Sequence, residues 1–111
     1  LSETVSLDEF KKMDIRVGTI LRVEDIAGKD KLYRIEVDTG DESPRVIVSG
    51  LKQVYSKESL QGKQIIVLCN LQSRKLAGIL SNGMLLAVGD GEVFLSLLGV
   101  DKPAPSGSAV E

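Results

Sequence analysis

Seven residues have types and spacing that could do chemistry together. Arg74 and Lys75 form the densest cationic stretch, set in Asn70-Leu71-Gln72-Ser73-Arg74-Lys75-Leu76-Ala77-Gly78. Ser81-Asn82-Gly83-Met84 follows a few residues on, and Lys31 belongs to a second basic group with Lys29 and Arg34. Two cations can neutralise phosphates, amides and hydroxyls can meet sugars or base edges, and glycines let a ligand approach the backbone. The same segment also reads as a solvated loop between two strands, and composition leaves both readings open.

Other chemistries are poorly supplied. The 111 residues contain no His and one Cys, Cys69. Without imidazole there is no Ser-His-Asp or Cys-His pair and no histidine metal ligand. One thiol makes no internal disulfide and no thiolate cage, which fits a reducing, cytoplasmic setting. Asp38, Asp41 and Glu42 lack the spacing of a calcium loop and read as a solvated turn. No glycine-rich phosphate loop is present. The reading is therefore a binding module, with no catalytic residues, no metal and no cofactor.

No apolar run approaches the ~20 residues of a membrane span, and no secretory signal is visible. The chain opens on Leu1 rather than Met, as a processed protein or a piece of a longer one would. The net charge is −2, so any nucleic-acid contact must rest on local positive charge and shape. The four aromatic residues, Phe10, Tyr33, Tyr55 and Phe94, are too few for a generic single-strand binder with several stacking platforms. A protein that reads folded RNA needs fewer rings.

The elements that must position these residues are mostly strands. Ser6 and Glu9 form a capping box before a helix of two turns at most. Ile15, Val17, Leu21 and Val23 then alternate with polar residues, with Gly18 marking a bend. Residues 27–30 read as a turn, and Tyr33, Ile35 and Val37 as the apolar side of a second strand. Residues 45–49 make a short buried strand, residues 55–60 a helical turn, and residues 65–69 a fourth strand. The segment 70–83 reads as a long loop with extended pieces. Residues 84–88 and 93–98 form two more strands around an Asp90-Gly91 turn. The tail from Asp101 is rich in Pro, Gly, Ser and Ala, either docked or loose. The whole predicts one domain over residues 1–111. It is all-β, an OB-fold five-stranded Greek-key barrel with a short N-terminal helix and a C-terminal extension. An SH3-like barrel or small sandwich would have a similar strand pattern.

At this level the chain resembles a known family. Asp14-Ile15-Arg16-Val17-Gly18-Thr19-Ile20, Asp30-Lys31-Leu32-Tyr33, Val37-Asp38-Thr39-Gly40 and Ile47-Val48-Ser49-Gly50-Leu51 look like successive blocks of the tRNA-binding domain family. Asn70-Leu71, Arg74-Lys75-Leu76-Ala77-Gly78 and Ser81-Asn82-Gly83-Met84-Leu85-Leu86-Ala87 look like its later blocks. Residues 6–10 and 14–18 look most like the branch associated with methionyl-tRNA synthetase.

The resemblance implies an OB-fold module that binds the outside of the tRNA elbow and assists an aminoacyl-tRNA synthetase, methionyl here. It implies a homodimer whose interface uses residues 93–111. It also implies a ligand face of Lys31, Asn70, Arg74, Lys75, Ser81, Asn82 and Met84. Lys31, Arg74 and Lys75 would meet phosphates, Ser81 and Asn82 backbone or sugar, and Met84 a ribose or base. Two departures stand out: Ile26-Ala27-Gly28-Lys29 replaces a frequent His-Pro, and Gln72-Ser73 a frequent Lys-Pro. The rival reading is a dimeric protein-binding or chaperone module of the same fold, indifferent to tRNA.

Overall fold

The computed structural model describes residues 3–111. The capping box forms as its sequence predicts. The Ser6 hydroxyl accepts from Glu9 N–H and the Glu9 carboxylate accepts from Ser6 N–H, each at 3.1 Å, starting a one-turn helix α1 (Leu7–Phe10).

Five strands make the main sheet: β1 (Ile15–Ile26), β2 (Lys29–Asp38), β3 (Arg45–Ser49), β4 (Gln64–Leu68) and, after a hairpin described below, β7 (Met84–Leu85). Their order is β3-β2-β1-β4-β7, every neighbouring pair antiparallel. The sheet curls until its outer strands approach each other, giving a nearly closed, OB-like barrel. Isoleucine, valine and leucine fill it: Ile20, Ile35, Val37, Ile47, Ile65, Val67 and Leu85 are buried. Helix α2 (Lys57–Leu60) lies in the connection between β3 and β4, capped by Ser56, and drives Leu60 into the core.

The curl depends on β1, which pairs with β4 over its first part and with β2 over its second. Gly18 stands near the changeover. A Cβ there would lie 2.6 Å from the Val37 side chain and 3.0 Å from that of Val67. A bulge at Leu21 then shifts the register with β2. Ahead of it the inward positions are even, Gly18 and Ile20, and beyond it the odd Val23 packs on the core. Ile20 turns inward, and Leu21, expected on the core side, is 42 % exposed. The first turn is also tighter than expected: only Ala27 and Gly28 lie between strands, and Lys29 and Asp30 belong to β2.

The remaining strands decorate the barrel. β5 (Arg74–Leu76) and β6 (Ile79–Ser81) form a hairpin, and β8 (Ala87–Gly89) and β9 (Phe94–Leu97) another. The continuous strand expected over residues 84–88 is interrupted at Leu86, whose N–H donates to Ile66 O. The C-terminal tail is docked. It hydrogen-bonds along β1 through Val17 N–H to Ser108 O, Gly107 N–H to Val17 O and Val110 N–H to Ile15 O. These bonds cover the edge of β1 that β2 does not reach, as an exposed strand edge requires. Among the described residues, no helix is long and apolar enough to cross a membrane.

Candidate nucleic-acid interface

The cationic segment is a built hairpin. Arg74 pairs with Ser81, Lys75 with Leu80 and Leu76 with Ile79. The two-residue turn has positive φ at both Ala77 (52°) and Gly78 (77°), as the strand-matching hairpin turn demands. Side chains alternate across such a ribbon, so Arg74 and Ser81 share one face and Lys75 and Leu80 the other.

Ser81 is buried. Its hydroxyl accepts the Val48 N–H at 3.0 Å, and Asn82 N–H donates to Val46 O at 2.8 Å. These two bonds anchor the end of the hairpin on β3 and complete the barrel. The Ser81 hydroxyl, expected to reach sugar or backbone of a ligand, is committed inside the protein. Asn70 is likewise occupied. Its Oδ1 accepts from Asp14 N–H at 2.9 Å and its Nδ2 donates to Lys12 O at 2.7 Å. It ties the segment after α1 to the end of β4.

Asn70 is nonetheless exposed, and so are the remaining residues of the expected face, which fall in two groups. Arg74 and the 41 % exposed Met84 line a groove of ≈ 270 Å³ with Leu32, Gly50 and Phe94. An adjoining groove of ≈ 680 Å³ shares Leu32, Gly50 and Phe94 and extends to Lys31. Lys31, Arg74 and Met84 therefore border one continuous concavity. Lys75 faces the other way, beside Leu80. A separate depression on that side runs from Leu80 to Asn82 and Arg45.

The charges sort themselves by pairing. Arg16, Arg22, Arg34, Arg45, Lys52 and Lys57 each lie against a carboxylate. Lys31, Arg74 and Lys75 have no carboxylate partner among the described residues, and neither do Lys11, Lys12, Lys29, Lys63 and Lys102. An unpaired cation keeps its attraction for phosphate, whereas a paired one has largely spent it.

Asp41 is not the simple solvated turn residue that its acidic surroundings suggest. Arg16 grips both oxygens of Asp14 (2.7 and 2.8 Å) and reaches Asp41 at 3.0 Å and Thr39 O at 3.1 Å. Thr39, fully buried, donates its hydroxyl to Asp41 at 2.7 Å. Hydrogen bonds from Arg16 hold Asp14 below the ordinary carboxylate range. Those from Thr39 and Arg16 do the same for Asp41, and both carboxylates push Arg16 further up. Burial pushes the Cys69 thiol up, so it is an inert packing group.

Arg45 joins this cluster to the hairpin. Sequence reasoning passed over it because it opens an otherwise apolar strand. The clue available was a lone guanidinium heading Val46-Ile47-Val48, where a buried strand can hold it only against several acceptors.

The model of the family described as "Putative tRNA binding domain" matches residues 15–109. The chain belongs to this tRNA-binding domain family. It is similar to the methionine–tRNA ligase of Methanosarcina mazei, 47 % identical over 106 residues. That match takes in 96 % of this chain and 15 % of the ligase. The chain thus spans about a seventh of the length of such relatives. Among solved structures, a MetRS related protein from Pyrococcus horikoshii superposes with a TM-score of 0.89 at 34 % identity. The superposition covers 99 % of this chain and all of that one. The chaperone CsaA of Bacillus anthracis gives a TM-score of 0.87 at 23 % identity over 98 % of this chain and all of its own. At that identity it speaks for the shared fold alone.

Proposed function

We propose that this chain is a non-catalytic tRNA-binding module that recognises folded tRNA near its elbow and raises the hold of an aminoacyl-tRNA synthetase on its substrate. Methionyl-tRNA synthetase is the partner the relatives favour. The observation that carries the reading is the presence of Arg74 and Lys75 on a paired hairpin, without carboxylate partners among the described residues. Lys31 supplies a further cation along the groove, and Met84 offers an apolar contact for a ribose or base.

The contact is mainly to shape and backbone. All four aromatic rings are buried or half-buried, so no ring stands fully out as a stacking platform. The module acts as a homodimer joined through residues 93–111, and support comes from the exposed Val93, Leu95 and Leu98 in that stretch. Two copies would add avidity where both faces reach one RNA assembly. Cytoplasmic action goes with a tRNA ligand. Titration with folded tRNA against duplex and single-stranded RNA tests the reading. Preference for folded tRNA supports it, and no binding to any of them at low salt moves the function to protein partners.

A further inference from the structure

The polar cluster beneath the hairpin ends on a group that can face RNA. The Arg45 side chain is only 14 % exposed and is held on four sides. Its Nε donates to Thr39 Oγ1 at 2.9 Å and to Asp41 Oδ2 at 3.1 Å. Its Nη1 donates to Cys69 O at 3.0 Å and to Asn82 Oδ1 at 3.2 Å. Arg16 and Thr39 fix Asp41 from behind, so the guanidinium has little freedom to turn.

A guanidinium offers only donors. The atom that Asn82 turns toward it must therefore be the carbonyl oxygen, which leaves the amide NH2 on the other side. The backbone of Asn82 is pinned as well, by its N–H bond to Val46 O. Asn82 is itself exposed. The result is a carboxamide of fixed orientation, showing solvent its donor end, next to a hairpin that carries unpaired cations. A fixed donor loses little conformational entropy when it meets an acceptor.

We infer that Arg45 is a positioning residue for RNA recognition: it holds the Asn82 carboxamide with its NH2 outward, and that NH2 donates to a phosphate or ribose oxygen of the RNA. The inference rests on the tRNA-binding reading above. It adds a residue that need not touch the ligand and gives Asn82 a definite polarity.

Asn82→Asp separates this from a purely structural role. Aspartate keeps an oxygen for Arg45, now charged, and replaces the outward NH2 by an oxygen. The expected result is an unchanged or higher Tm with tRNA affinity reduced about tenfold or more. The added charge by itself repels RNA, and that part fades as salt rises, so the loss that persists at high salt is the part owed to the missing NH2.

Arg45→Lys completes the test. One ammonium cannot reproduce the four bonds of the guanidinium, so Tm falls. Affinity for tRNA falls several-fold in the wild-type background and no further in an Asn82→Ala background. Two results overturn the inference: wild-type affinity in Asn82→Asp, or an equal Arg45→Lys loss with and without Asn82. A wild-type protein that binds no tRNA overturns the underlying reading as well. Tight wild-type binding with an indifferent Asn82→Asp overturns only the role given to Asn82 and Arg45.

Discussion

The Ser81 hydroxyl lies 3.0 Å from the Val48 nitrogen and accepts its N–H, closing the barrel by a side chain where a strand ladder stops short. β3 uses β2 along one edge. On its other edge it meets the last residue of β6 and the turn that follows. A hydroxyl is the right length to bridge that gap, and the buried N–H needs it. The same bond fixes the base of the hairpin that carries Arg74 and Lys75.

Ser81→Ala therefore leaves a buried N–H without a partner. The expected cost is about 1–3 kcal/mol, read as a lower midpoint in urea unfolding. An unchanged midpoint would mean that water or a small shift of the hairpin satisfies Val48. The alanine protein is also expected to bind tRNA less tightly, because its hairpin is less firmly held.

Gly18→Ala tests the bend in β1. The added methyl would press on Val37 and Val67, both fully buried, which cannot give way without disturbing the core. Overpacking of this kind costs about 1–3 kcal/mol. Thermal unfolding measures it, and wild-type stability would show that β1 can flatten without loss.

Acid should loosen the cluster around Arg16. Asp14 and Asp41 titrate below the ordinary carboxylate value of 3.8 in the folded protein, so the native state binds fewer protons than the unfolded one. Their stabilisation is present in full above that value and is lost as pH falls through the lowered native values. Each side chain is more than a third exposed, so solvent keeps the individual contribution small. Asp41→Asn is expected to lower Tm at pH 7 and to narrow the gap from wild type at pH 2. A gap of the same size at both pH values would contradict the linkage.

Much of the fold was legible in the sequence, for identifiable reasons. The capping box predicted α1 because its two hydrogen bonds are local to four residues. Residues 45–49 read correctly as a strand because a β-branched run between turn residues has few alternatives. Leu21 was misread because the barrel side of β1 is set at Gly18 and Ile20 by packing against Val37 and Val67, which periodicity along one strand does not record. The docking of the tail was open because its partner edge on β1, near Ile15 and Val17, is ninety or more residues away in the chain.

The candidate site was legible as residue types and less so as geometry. Lys31, Arg74, Lys75, Asn82 and Met84 are exposed where a ligand can reach them. Ser81 has the same chemistry but spends it inside the protein, and Asn70, though exposed, bonds the backbone of Lys12 and Asp14. A short polar side chain bonds backbone as readily as ligand, and spacing does not say which. Arg45 was missed because its acceptors come from Thr39, Asp41, Cys69 and Asn82, four places that only the folded barrel brings together.

Lys75 offers the cleanest single change on the binding side. It is exposed and unpaired among the described residues, so Lys75→Ala should leave Tm unchanged while weakening tRNA binding. Loss of one phosphate contact lowers the salt slope by roughly 0.7–0.9. Wild-type affinity and slope in this variant would remove Lys75 from the contact.

The central claim is tested most directly by the salt dependence of tRNA binding, measured for the wild-type chain and for the double variant Arg74→Ala, Lys75→Ala. Roughly three to five neutralised phosphates predict a log–log slope of about −2 to −4 for wild type, with folded tRNA bound more tightly than duplex or single-stranded RNA. The double variant should bind more weakly, with a shallower slope and an unchanged Tm. Equal binding of all three RNAs, or a double variant with the wild-type affinity and slope, would contradict the account.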